Sequence, residues 1–87
     1  MDSFKFEWKS SSEHDLKKID RQYIPKILEA IESLSCNPFP VQSRKLQDSE
    51  SSYRLRILDY RVIYQVDPPR EVLTIFHIRH RKDAYKR

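Results

Sequence analysis

Glycine is absent from this 87-residue chain, and its absence excludes a large group of functions. Loops that cradle phosphates with backbone N–H groups need glycine where the chain comes close to the ligand or takes a positive φ. Nucleoside-triphosphate and dinucleotide fingerprints are therefore ruled out. Cys36 is the only cysteine, so no internal disulfide can form, which fits a reducing compartment. Metal-ligand spacing is missing as well: His77 and His80 stand three apart with no third ligand in reach, and His14 is isolated. No metal and no other cofactor is expected. Residues 1–8 alternate charged and apolar side chains rather than forming a signal-peptide core, and no stretch approaches the roughly 18 apolar residues of a membrane span. The expectation is a cytoplasmic protein without a membrane partner.

What remains is a chain that is 38% hydrophobic and 34% charged, with five Tyr, four Phe and one Trp. That is enough for one small core, and 87 residues cannot fill a second. A single domain over residues 1–87 is expected. The formal charge of +4 is unevenly distributed. Residues 1–43 carry six Lys/Arg against seven Asp/Glu, whereas residues 44–87 carry eleven against six. A basic half suits a polyanion, because neutralised phosphates release counterions; a solvated basic surface would look the same by charge alone.

Phe4, Phe6 and Trp8 alternate with Lys5, Glu7 and Lys9, the period of a strand with one buried face. Ser10-Ser11-Ser12-Glu13 offers a capping box, so a helix is predicted to start there with Leu16 and Ile19 inward. Ile24, Ile27, Leu28, Ile31 and Leu34 recur at helical steps, giving a second helix to about Ser35. Pro25 fits only its first turn, which sets the start near Tyr23 or Ile24. Asn37-Pro38-Phe39-Pro40 stops the helix and opens a loop to about Arg44. Lys45-Leu46 could touch the sheet briefly before a polar turn at residues 47–52. Tyr53 to Ile57, Tyr60 to Val66 and Glu71 to Arg79 are rich in β-branched and aromatic residues, so three strands are predicted. Leu58-Asp59 makes a hairpin and Asp67-Pro68-Pro69-Arg70 a second turn. The expected class is α+β: a small antiparallel sheet in the sequence order β-α-α-β-β-β, with the helical hairpin packed on one face.

Chemistry concentrates in the basic half. Alternation sends Tyr53, Leu55 and Ile57 to one face and Arg54 and Arg56 to the other, and Arg61 opens the next strand beside them. The crowding of like charges costs stability, and a bound polyanion would account for it. Arginines snorkelling over a solvated face would give the same pattern. The tail, His77-Ile78-Arg79-His80-Arg81-Lys82-Asp83-Ala84-Tyr85-Lys86-Arg87, combines forked phosphate donors, two imidazoles and a phenol able to stack on a base. Scission of RNA by transesterification needs such parts: a base for the 2′-hydroxyl, positive charge at the phosphorane oxygens, and an acid for the leaving 5′-oxygen.

The stretch Tyr53-Arg54-Leu55-Arg56-Ile57-Leu58-Asp59-Tyr60-Arg61-Val62-Ile63-Tyr64-Gln65-Val66, followed by His80-Arg81-Lys82-Asp83-Ala84-Tyr85, resembles the RelE family of toxin–antitoxin ribonucleases, within the wider RelE/ParE superfamily. Lys45-Leu46 and the two-helix N-terminal half fit the same pattern. The resemblance implies a RelE-like fold and a toxin that cleaves messenger RNA in the ribosomal A site by 2′-hydroxyl attack. It implies partners in the ribosome and its RNA, the messenger, and a cognate RelB-like antitoxin. By position it assigns Arg54, Arg56 and Arg61 to the basic patch, Arg79 to transition-state charge and the leaving group, Arg81 to phosphate, and Tyr85 to base stacking. Arg44, Lys45, Lys82, Lys86 and Arg87 are expected to contact RNA or the ribosome. Where some relatives place lysines, this chain has Arg54 and Arg56, and arginine is a poor proton acceptor. The base is therefore expected to be His80, with His77 second. A ParE-like inhibitor of DNA gyrase and a non-catalytic RNA-binding module are the competing functions.

Overall fold

Alternation in the first eight residues produces β1, Lys5–Trp8, with Phe6 and Trp8 half-buried and Lys5 and Glu7 exposed. The computed structural model describes residues 3–47 and 51–84, with Asp83 and Ala84 described by backbone only. Helix α1 follows at Ser10–Lys17, then a 3₁₀ turn at Arg21–Tyr23 and helix α2 at Ile24–Ser33. Four strands come next: β2 Ser43–Lys45, β3 Ser52–Ile57, β4 Tyr60–Asp67 and β5 Val72–His80. A short helix, α3 at Arg81–Ala84, succeeds β5. The order in the sheet is β1-β5-β4-β3-β2.

This is the expected α+β class, with two refinements. Ser43–Lys45 forms a strand of its own, paired antiparallel with β3. And β1 pairs with β5 in parallel, Lys5 opposite Val72 and Trp8 opposite Ile75, whereas an antiparallel sheet throughout was expected. Only strands joined by a tight turn must run antiparallel. Two helices and three strands separate β1 from β5, so nothing in the connection fixes their relative direction.

The serine run does not form the expected capping box. Lys9 occupies the N-cap position and no side chain caps the helix. The serines lie inside the first turn, where their hydroxyls donate: Ser12 Oγ to Lys9 O at 2.6 Å, and Ser11 Oγ to Phe76 O at 2.6 Å. The second bond has a structural purpose. β1 covers the outer edge of β5 only as far as Ile75. Beyond it α1 takes over: Lys9 N–H donates to Ile75 O, Ser11 reaches Phe76, and Asp15 Oδ2 accepts the Ile78 N–H at 3.1 Å. An exposed strand edge is thereby blunted.

Asp20 caps the 3₁₀ turn by accepting the Gln22 N–H, and Pro25 sits in the first turn of α2 as its geometry requires. From α2 and the residue after it, Ile27, Ile31 and Leu34 are wholly buried against Leu55, Ile57, Val62, Tyr64, Val66, Leu73, Ile75 and Ile78 of the sheet. Each such side chain stabilises the fold by about 1.5–3 kcal/mol. Tyr64 is also wholly buried, and its hydroxyl donates to Pro38 O at 2.7 Å. Among the described residues no helix is long and apolar enough to cross a membrane.

A bulge in β5 sets up the site. Ile63 pairs with His77 but Tyr64 pairs with Ile75, so Phe76 is the extra residue. Before it Leu73 and Ile75 are buried; after it Ile78 is. Without the bulge, strict alternation would place His77 and Arg79 on the buried face with Ile75. The inserted residue turns them to the opposite face.

Candidate nucleic-acid interface

On that opposite face the register brings the arginines together. Arg56 lies directly across from Arg61, and Arg61 from Arg79, so one row crosses β3, β4 and β5. The next row places Arg44 of β2 opposite Arg54 of β3. Arg44, Arg54, Arg56 and Arg61, with Val41 and Gln42 of the preceding loop, line a cleft of about 330 Å³. Arg61 is only 5% exposed, so its charge is held inside the site rather than dispersed in solvent. Its Nη1 donates to Tyr60 O at 3.1 Å, and Arg44 Nη1 donates to Val41 O and Ser43 O. Among the described residues Arg44, Arg56 and Arg61 make no ion pair with a carboxylate. Like charges directly opposite one another destabilise a sheet by up to about 1 kcal/mol per pair. The paired non-bridging oxygens of a phosphodiester match a guanidinium fork, and such an anion would relieve that repulsion.

Beside the cleft, at the edge of β5, a second cluster forms. Asp15 of α1 approaches His77 Nδ1 at 3.1 Å and Arg79 Nε at 4.0 Å, and Arg79 Nη2 lies 3.2 Å from His77 Nδ1. Arg79 thus shares a row with Arg61 while its guanidinium is engaged at the strand edge. His80 belongs to the other face. It pairs with Tyr60, packs its ring edge-on against that tyrosine at 5.4 Å, and accepts the Lys82 N–H on Nδ1 at 3.2 Å. Asp15, Lys18, Ile19, Tyr60, Ile78, Arg79 and His80 line a second cleft of about 310 Å³. Burial, first, and the neighbouring Tyr23, Asp20 and Asp59 push the Tyr60 phenol above its ordinary pKa.

The other residues singled out by sequence are more dispersed. Lys45 is exposed on β2 opposite Tyr53, one residue out of phase with Arg44. Arg81 and Lys82 are exposed on α3. Tyr85, Lys86 and Arg87 lie outside the described residues. Sequence reasoning did not single out Asp15, Val41 or Gln42: nothing in local spacing links residue 15 to residues 77–79, and a loop lining carries no periodic signal. Among the described residues no group of three or more His, Cys, Asp or Glu side chains could hold a metal ion.

Comparison with known proteins assigns this architecture to a family. The family model described as the ParE toxin of the type II toxin–antitoxin system parDE matches residues 6–85. A Methanocaldococcus jannaschii protein named as toxin RelE1 is 36% identical over 75 residues, 83% of each chain. Among solved structures, the archaeal RelE–RelB complex of Pyrococcus horikoshii superposes with a TM-score of 0.80 at 25% identity, over 91% of this chain and 96% of that one. An arginine-to-alanine double variant of Escherichia coli toxin RelE in the free state gives a TM-score of 0.77 at 15% identity, over 97% and 88%, a likeness of fold. The chain belongs to the RelE/ParE family of type II toxin–antitoxin toxins.

Proposed function

We propose that this toxin is an endoribonuclease that cuts messenger RNA in the ribosomal A site by 2′-hydroxyl transesterification. The observation that carries this reading is the arginine cleft: four guanidiniums from three adjacent strands around one concavity, one of them nearly buried. Preformed donors of this kind stabilise charge that develops on non-bridging phosphate oxygens, and they do so without reorganising during the reaction. Arg61 is the best placed, because burial strengthens its field and its bond to Tyr60 O restricts its movement. Arg56 of β3 and Arg79 of β5 share its row on either side, and Arg54 stands in the next row. Tyr85 would stack on a base and Arg81 would take a further phosphate. The ribosome would orient the messenger over this face. A cognate antitoxin, acidic and amphipathic, would silence the toxin by covering the same cations, and the Pyrococcus horikoshii relative is itself a RelE–RelB complex.

The test is single-turnover cleavage of messenger on programmed ribosomes by Arg61→Ala. The expected loss is about 100- to 1000-fold in rate, with ribosome affinity falling no more than about tenfold. A proportional loss of both would mean that Arg61 serves binding alone. The family model's ParE description supports a second reading, inhibition of DNA gyrase. A gyrase cleavage assay run in parallel distinguishes the two.

A further inference from the structure

We propose that His77, held by Asp15, is the proton acceptor for the attacking 2′-hydroxyl. This rests on the ribonuclease reading and names the group that reading lacks. The arginines cannot serve as bases, because guanidinium keeps its proton throughout the accessible pH range. His80 is poorly suited. Its Nδ1 lone pair already accepts the Lys82 N–H, so the neutral ring carries its proton on Nε2 and presents a donor. It also stands on the face opposite the arginine row, against Tyr60.

His77 has the reverse arrangement. Its Nδ1 lies 3.1 Å from Asp15 Oδ2 and 3.2 Å from Arg79 Nη2. One nitrogen cannot donate to the first and accept from the second at once. The carboxylate decides, for two reasons. It can only accept, so a lone pair facing it would be repelled, and it is fixed in place by the Ile78 N–H. Arg79, with its side chain 44% exposed, can turn toward solvent or phosphate. Nδ1 therefore carries the proton and donates to Asp15. Nε2 is left with the lone pair, and among the described residues it makes no hydrogen bond. A carboxylate that fixes the tautomer also stabilises the imidazolium once it forms. The bulge at Phe76 puts His77 in the register row of Arg54 and Ile63, two residues before Arg79 on the same strand, with its ring at the β5 edge beside Asp15. The side chain is 34% exposed, open enough to meet a strand of RNA.

In the reaction the 2′-hydroxyl proton passes to His77 Nε2 as the 2′-oxygen bonds to phosphorus. The bond from phosphorus to the 5′-oxygen breaks, leaving a 2′,3′-cyclic phosphate on one fragment, and the departing 5′-oxygen takes a proton from solvent. Asp15 is a positioning residue, and Arg79, released from it, can turn to the phosphate. The charged groups around the ring are Asp15 from α1 and Arg79 on its own strand; from β4 it faces apolar Ile63, with Arg61 two residues away.

The test uses the full chain on programmed ribosomes. His77→Ala and His77→Gln should each slow single-turnover cleavage at least 100-fold, with melting temperature and ribosome binding near wild type. Free imidazole should restore at least a tenth of the lost rate to His77→Ala, which relief of a packing defect would not do. His14→Ala should cleave as wild type does. Asp15→Ala should slow single-turnover cleavage about tenfold or more with ribosome binding near wild type, and Asp15→Asn, which keeps an acceptor for Nδ1–H, should recover part of that loss. Wild-type rates from the His77 variants, with Arg61→Ala inactive, would overturn the assignment of the base while leaving the ribonuclease reading standing. No cleavage by the wild-type protein would overturn both.

Discussion

Individual side chains in this toxin divide into those placed for stability and those held against it. Arg56 is of the second kind: exposed, directly opposite Arg61, and without a carboxylate partner among the described residues. Arg56→Gln should raise stability by a few tenths to about 1 kcal/mol in low salt and by less as salt screens the patch. The same change should weaken RNA binding and flatten its salt dependence by about one unit of slope. Urea titration and filter binding, each at two salt concentrations, would check it. Tyr64 is of the first kind. Burial, above all, raises its phenol pKa, so the folded state favours the neutral form. In the unfolded chain the phenol ionises from about pH 10 upward, so the contribution of Tyr64 is whole below that pH and is lost as pH rises further. Tyr64→Phe should cost roughly 1–2 kcal/mol at neutral pH, by leaving Pro38 O unpaired, and should soften the alkaline decline in stability. Denaturant melts at pH 7 and 10.5 would show both. At this scale the sequence was legible where alternation holds: Leu55 and Ile57 went inward and Arg54 and Arg56 outward, as their period requires.

At the scale of elements, legibility followed hydrophobic period and failed where a long-range bond decided. The second helix and the three long strands fell within one or two residues of expectation, because α2 buries Ile27 and Ile31 at helical spacing and β4 buries Val62, Tyr64 and Val66 at strand spacing. The capping box was misread, because a serine hydroxyl donates as readily as it accepts, and the partner of Ser11 is Phe76, far along the chain. The bulge was invisible for a related reason. Residues 72–80 read as one unbroken strand, and only pairing with β4 reveals that Phe76 is extra. That single residue decides which face His77 and Arg79 occupy, so the fold could be read from sequence further than the site could. The hairpin between β3 and β4 shows what a chain without glycine must accept. Leu58 takes φ 54° there and is half exposed. Leu58→Gly should stabilise the protein by up to about 1 kcal/mol, because it removes a left-handed penalty of that order while giving up little packing. Chemical denaturation would measure it, and a loss of stability would show that Leu58 packs more than its exposure suggests.

Across the whole molecule, the helices pack on one side of the sheet and arginines of β2, β3 and β4 line a cleft on the other. The helical face supplies the core, and the basic half of the sequence supplies β2 to β5. Charge asymmetry by itself suits a polyanion and a solvated basic surface equally. What it could not give was convergence, since Arg44, Arg54, Arg56 and Arg61 meet only when β2, β3 and β4 lie side by side. The most direct measurement is to map messenger ends at single-nucleotide resolution on ribosomes halted with a known codon in the A site, in the presence of purified toxin. Cuts within that codon, ending in 2′,3′-cyclic phosphate and absent with Arg61→Ala, are the expected result. Intact messenger, with DNA breaks appearing instead in the presence of gyrase, would contradict it.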